Sequence, residues 1–377
     1  MECAERYAAY LSSCPRCGER NEFADSEGSK TGKKSNAATK IAVGAGVGMA
    51  IVAIVLLIPA VSLVLQKAVV DEVPPINILP PIRQEPEVIP QDELVRHALE
   101  MINTDRAAFG LQPVRLSENQ AAQIHAEDVF RNKQISHWMS NGEKPYMTYT
   151  RYGGSGSVSQ NVAIAGFSAA QYNQCLSNSL YDCEKIEPIA TIEELEYEMM
   201  YKDKECCDDG HRKNILNEHH THVSIGIVYD EYYLALVQNF ENNYGLQVSA
   251  DGRYGRLSGE LSSGEIDHVA IYYDVIPDSE IYEQNKRLLS YSLGELVASV
   301  VKPLPPGYYY QQPRGYSLIV ADIWDVTENN YVDITFDLAR AVTADGVYTV
   351  SAVAKDGDDG ETFEVTSYSI FVDSEVS

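Results

Sequence analysis

The chain has 377 residues and a formal net charge of −26, from 55 acidic against 29 basic side chains. No basic face stands out beyond residue 40, so nucleic-acid phosphates would repel it and a nucleic-acid partner is excluded. The length allows two or three domains with their own cores, and 25 tyrosines against 8 phenylalanines predict sheets with half-buried rings.

Residues 1–40 read as a short tail. Cys14 and Cys17 form a CPRCG knuckle, half of a zinc site, with Cys3 the only other cysteine nearby and no histidine before His97. The expectation is a reduced, unligated pair, since a complete site would need a partner chain. Residues 41–65, IAVGAGVGMAIVAIVLLIPAVSLVL, carry no charge, and about 20 such residues cross a bilayer as a helix. Lys30, Lys33, Lys34 and Lys40 precede the run, and Asp71 and Glu72 follow it. The positive-inside bias therefore predicts a single-pass anchor in the cell membrane, with the N-terminus cytoplasmic and the later domains extracytoplasmic. A cleaved signal peptide fits less well, because the leader is long and the apolar run exceeds an ordinary h-region. Residues 66–90 hold Pro74, Pro75, Pro80, Pro81, Pro86 and Pro90. That density predicts an extended, semi-rigid polyproline stalk.

From residue 91 the pattern turns helical. Leu94, Val95, Ala98, Leu99 and Ile102 recur at three- and four-residue spacing, and Gly110 suits the stop. Ser117 with Gln120 and Thr191 with Glu194 read as capping boxes that open two further helices. His211–Leu216 reads as a short helix, and VSIGIVYD and YYLALVQNF read as strands. Residues 91–243 thus form one mixed unit. Residues 244–377 alternate short strands with Gly, Asp and Pro turns (SLIVADIWDV, YVDITFDL, VYTVSAVAK), which predicts an all-β, sandwich-like domain. Leu289–Val301 reads equally as a helix or a strand pair.

The middle unit resembles the CAP superfamily, or SCP domain. LEMINTDRAAFGLQPVRLSENQAAQIHAEDV is similar to the family's first two helices. Ser136-His137-Trp138 resembles its first histidine motif, and Gly210-His211-Arg212-Lys213-Asn214-Ile215-Leu216 its second. Ser159-Gln160-Asn161-Val162-Ala163 stands where the family has Gly-Glu-Asn-hydrophobic-Ala, and Ile225-Gly226-Ile227 and Leu236–Phe240 match its closing strands. The resemblance implies an α+β fold, an α-β-α sandwich, with a cavity built from two histidines and two acids. It makes His137, Gln160, Asp203 and His211 the cavity residues, and His137, His211 and Asp203 the candidate ligands for zinc or another divalent cation. Gln160 replaces an acid, so it supplies neither charge nor a proton. Asp203 falls near the centre of the inward helical stripe, with Glu196 and Glu198 as the alternatives. His219, His220 and His222 read as a polar turn, and His125 as a packing or hydrogen-bonded residue.

Four cysteines lie in the exported part: Cys175, Cys183, Cys206 and Cys207. An even number outside the cell predicts two disulfides, with Cys206 and Cys207 each reaching Cys175 or Cys183. Three functions fit these residues. The favoured one is binding of an unidentified extracellular ligand or protein partner. The second is a zinc-dependent hydrolase of peptide or envelope polymer, with Asp203 activating water. The third is a structural envelope protein with a vestigial cavity. The chain has no GxSxG elbow and no HExxH helix.

Overall fold

The computed structural model describes residues 89–177, 183–327, 330–356 and 360–373. The CPRCG tail, the apolar span and nearly all of the stalk lie outside the described residues. No helix among the described residues is long and apolar enough to cross a membrane. The chain from Ile89 onward forms one compact unit.

The first part of that unit comprises α1 (Gln91–Ala108), β1 (Arg115–Leu116), α2 (Ala121–Asn132), α3 (Pro145–Arg151), β2 (Ser157–Gly166), α4 (Ala169–Ser177), α5 (Pro188–Tyr201), α6 (Lys204–Cys207), α7 (Gly210–Ile215), β3 (His222–Tyr229) and β4 (Tyr233–Asn242). The sheet order is β1-β3-β4-β2, with β1 parallel to β3 and the other pairs antiparallel. Strand periodicity sorts the side chains to two faces. Leu234, Leu236 and Phe240 of β4 pack with Leu94, Ala98, Ile102, Ile192 and Leu195 of α1 and α5. Ala235 and Val237 face the other way, onto Ala122, Ala126 and Val129 of α2. The result is an α-β-α sandwich. Burial of each such Leu, Ile or Val stabilises the fold by about 1.5–3 kcal/mol.

Gly110 ends α1 as its sequence position suggests. It sits at φ +75°, with its N–H on the Ala107 carbonyl and the Leu111 N–H on that of Arg106. These are the two bonds of a Schellman stop. The expected capping boxes are not formed. Helix α2 opens at Ala121, whose N–H is taken by Asn119 Oδ1, while Ser117 Oγ accepts from Asn119 N. The asparagine reaches the first helical amide, leaving Ser117 to shape the preceding turn. Helix α5 opens at Pro188, so Thr191 lies inside it. Proline at the first position costs no hydrogen bond there and moves the start upstream.

The second part comprises β5 (Leu246–Asp251), β6 (Tyr254–Glu260), β7 (Glu265–Asp274), α8 (Ser279–Asn285), β8 (Glu295–Val301), β9 (Ser317–Val320), β10 (Ile323–Val326), β11 (Tyr331–Asp337), β12 (Gly346–Lys355) and β13 (Thr362–Val372). A four-stranded sheet, β10-β11-β6-β5, faces a five-stranded one, β13-β12-β7-β8-β9. Leu257, Ile334 and Phe336 of one meet Val269, Ile271, Val350 and Ala352 of the other in a single core. Of the ambiguous Leu289–Val301 stretch, the second half is β8 and the first half carries no regular secondary structure.

Strands β12 and β13 are also buried on the side away from that core, through Thr349, Ser351, Thr366, Ser367 and Ser369. That polar face lies against the α-β-α part. Thr366 Oγ1 donates to the Ser155 carbonyl at 2.7 Å, and Ser157 Oγ and Asn242 Nδ2 both donate to the Glu364 carbonyl. At the rim, Asp274 accepts from Lys144 Nζ and Tyr146 Oη, each at 2.6 Å.

Candidate functional site

Strand β2 is the outer strand of its sheet, and a cavity of about 450 Å³ lies against it. His137, Gln160 and His211 line it together with Cys207, Tyr291 and Glu364. The two histidines, 74 positions apart in number, therefore share one pocket. Asp203 does not line it.

His137 enters from the loop between α2 and α3. Its Nδ1 hydrogen-bonds Gln160 Oε1 at 3.0 Å, and the ring also hydrogen-bonds the Leu289 backbone. Gln160 Nε2 donates to His125 Nδ1 and Asn239 Oδ1, both at 3.0 Å. The remaining ring nitrogen of His125 meets the Ser136 carbonyl at 2.9 Å. Glutamine suits this place because it offers an acceptor to one imidazole and a donor to the other. A carboxylate would present only acceptors. Burial lowers the pKa of His125 and His137 to about 4, partly offset by the Ser136 and Gln160 hydrogen bonds. Both rings are therefore neutral at physiological pH.

His211 stands in the first turn of α7. Asp203 Oδ1 accepts from His211 Nδ1 at 2.6 Å, while Oδ2 takes the backbone N–H groups of His211 and Arg212 at 2.7 and 3.2 Å. Asp203 thus caps α7 and engages His211 through Nδ1, leaving Nε2 as the ring nitrogen that the carboxylate does not touch. Its role in the geometry is to orient the imidazole from behind. Of the alternative acids, Glu196 is buried and bonded by Gln238, and burial raises its pKa well above the carboxylate range. Glu198 is half-buried on α5 and does not line the cavity. Asn161, next to Gln160, pins α7 to β2: its Nδ2 donates to the His211 carbonyl at 3.2 Å, and its Oδ1 accepts from Asn214.

The histidines expected in a polar turn sort by burial. His220 is buried, stacked on Phe240 and bonded through Nδ1 to Asn242 Oδ1 at 2.6 Å. Burial lowers its pKa to about 4. It is a core residue at the strand entrance, which a polar-turn reading does not anticipate, because only the tertiary fold supplies Asn242. His219 stacks on Phe363 at 4.1 Å. His222 begins β3 and bonds the neighbouring Thr221 hydroxyl.

Tyr291 and Glu364 come from the second part of the chain and are absent from the motifs that carry the resemblance. Tyr291 packs edge-on to His137 at 5.3 Å and to Trp138 at 6.4 Å, and it hydrogen-bonds the Gln160 backbone. It covers the open edge of β2. Glu364 of β13 accepts from Ser351 Oγ at 2.6 Å. Burial raises its pKa to about 7, and the Ser351 bond works against that rise. No local pattern announces them: Thr349, Ser351, Ser367 and Ser369 alternate with apolar residues as on a strand with one wet face.

The expected cysteine pairing is corrected. The disulfides are Cys175–Cys183 and Cys206–Cys207. Cys175, at the end of α4, has Cys183 at a Cα separation of 5.8 Å, within ordinary bridging range. Cys206 and Cys207 close on each other at the end of α6, beside Asp203 and His211.

Whether the cavity histidines fit a metal can be tested on their donors. His137 already bonds Gln160 and the Leu289 backbone, and His211 Nδ1 bonds Asp203. Among the described residues, the one group of His, Cys, Asp and Glu donors lying within 4.8 Å of one another is Asp203, Cys206, Cys207 and His211, without His137. The set of His137, His211 and Asp203 does not converge on a shared ion as it stands.

A family model for the cysteine-rich secretory protein family, CAP, matches residues 99–240. That span runs from the third turn of α1 to Phe240 in β4 and includes both histidine motifs. Residues 99–240 are a CAP domain. No curated protein matches the chain.

Proposed function

We propose that the protein is anchored in the cell membrane by residues 41–65 and carries its CAP domain and β sandwich on the extracytoplasmic side, where the β2 cavity binds a ligand. The observation that supports this best is the cavity itself. It is walled by both parts of the chain, and it brings two imidazoles, the Tyr291 phenol and the Glu364 carboxyl around one space. Pockets of a few hundred Å³ with a small number of convergent polar groups are ordinary small-molecule sites. The groups suit a polar, uncharged ligand that donates to His211 and accepts from a protonated Glu364. A divalent ion between His137 and His211 is the less favoured form of this reading, because His137 would first have to leave Gln160 and Leu289.

A hydrolytic reading has the Asp203–His211 pair in its favour, since a carboxylate behind an imidazole is how a general base is held in one tautomer. Calorimetric titration of the full chain with zinc and with envelope-polymer fragments separates the readings. Saturable heat lost in His211→Ala supports binding, and turnover on top of it supports the hydrolase. No heat from either titrant leaves the structural reading. Protease added to intact cells should remove everything beyond the stalk, and full protection would overturn the outside placement.

A further inference from the structure

The Cys206–Cys207 disulfide lies against the acid that holds His211. Asp203 cannot swing away, because the amides of His211 and Arg212 fix its Oδ2. Its Oδ1 faces His211 Nδ1 at 2.6 Å and Cys206 Sγ at 3.5 Å. Donor atoms of all four residues lie within 4.8 Å of one another. While the sulfurs are bonded to each other they are poor ligands. Once reduced, they would complete a set of two thiolates, one imidazole and one carboxylate, which is a tetrahedral zinc set.

We propose that Asp203, Cys206, Cys207 and His211 form a redox-gated site for zinc or another thiophilic divalent cation, closed by the disulfide and opened when an external thiol reduces it. The exchange balances. Two RSH molecules give two electrons and two protons to the Cys206–Cys207 bond, leaving two cysteine thiols and RSSR. The cation then displaces both thiol protons and, on binding His211 through Nδ1, that nitrogen's proton, which passes through solvent to Nε2, so that two sulfur–metal bonds and one nitrogen–metal bond form. Charge favours this second step, since two thiolates beside the Asp203 carboxylate repel one another until a dication joins them. His137 has no part in the site, so the proposal goes beyond the cavity reading. His211 belongs to both, and a metal that draws its ring away from Asp203 alters the cavity wall. Metal loading and cavity binding are therefore coupled through one imidazole.

The test uses the full chain with Cys3→Ser, Cys14→Ser and Cys17→Ser, so that tail thiols contribute nothing. Cobalt(II) is titrated into the oxidised protein and into protein reduced with dithiothreitol and desalted under nitrogen. A thiolate-to-cobalt charge-transfer band is expected only after reduction. It should vanish in Cys206→Ser/Cys207→Ser, persist in His137→Ala, and require about 10- to 100-fold more cobalt in His211→Ala. No band after reduction overturns the proposal, as does a band that survives Cys206→Ser/Cys207→Ser, which would belong to Cys175 and Cys183. Loss of cavity binding in His137→Ala with the band intact would leave this site standing apart from the cavity reading.

Discussion

Gln160 is the residue at which the domain departs from the CAP pattern it resembles, and the structure gives the departure a reason. With the other nitrogen of His125 held by the Ser136 carbonyl, His125 Nδ1 needs a donor while His137 Nδ1 needs an acceptor, and the amide supplies both where a carboxylate supplies only the second. The acid in the cavity is instead Glu364, brought in from β13. Its position has a measurable pH signature. A carboxyl whose pKa is about 7 when folded holds its proton more tightly than in the unfolded chain. The stability it contributes is therefore present at low pH and is lost as the pH rises from the ordinary carboxylate range through 7. Glu364→Gln keeps the acceptor for Ser351 and removes the ionisation. It should stabilise the protein by about 1–3 kcal/mol at pH 8 and leave it nearly unchanged at pH 4. Thermal melts at the two pH values measure this, and equal shifts at both would mean that the carboxyl is not desolvated.

At the scale of elements, much was legible. The three- and four-residue spacing of α1 and the β-branched and aromatic runs of β3 and β4 sit in the structure where the pattern puts them. Helix starts were less legible, because Asn119 and Pro188 compete with the Ser/Thr boxes and only the packed chain decides which amides need a partner. The cavity was half legible. His137 and His211 sit in local motifs, whereas Glu364 and Tyr291 reach the site through long-range packing that leaves no local spacing. Gly226, in the Ile225-Gly226-Ile227 match, has a physical requirement of its own. A Cβ there would lie 2.1 Å from the Ala122 carbonyl oxygen and 2.6 Å from the Gln123 Cα. These are backbone atoms of α2, which cannot yield without moving the helix. Gly226→Ala should cost about 1–3 kcal/mol in urea denaturation, and a neutral result would mean that α2 stands further from β3.

For the whole molecule, the seam between the CAP domain and the sandwich is polar, and Asp274 is its best-defined joint. It takes Lys144 and Tyr146 together, and the Lys144 and Asp274 side chains are only 12% and 14% exposed. Asp274→Ala would leave a nearly buried ammonium without its counter-charge. That should cost about 3–5 kcal/mol, read by chemical denaturation. A cost below about 1 kcal/mol, the range of surface pairs, would mean that the ion pair is solvated.

The strand that closes the cavity has a consequence for biogenesis. Chain order places β13 after every other element of the described residues, so His137 and His211 are translated long before Glu364 exists. Until the segment bearing Tyr291 docks, the outer edge of β2 is an uncovered ladder of amides and carbonyls, open to any extended peptide in its path. The newborn domain thus passes through an interval of vulnerability to mispairing that the docking of Tyr291 ends.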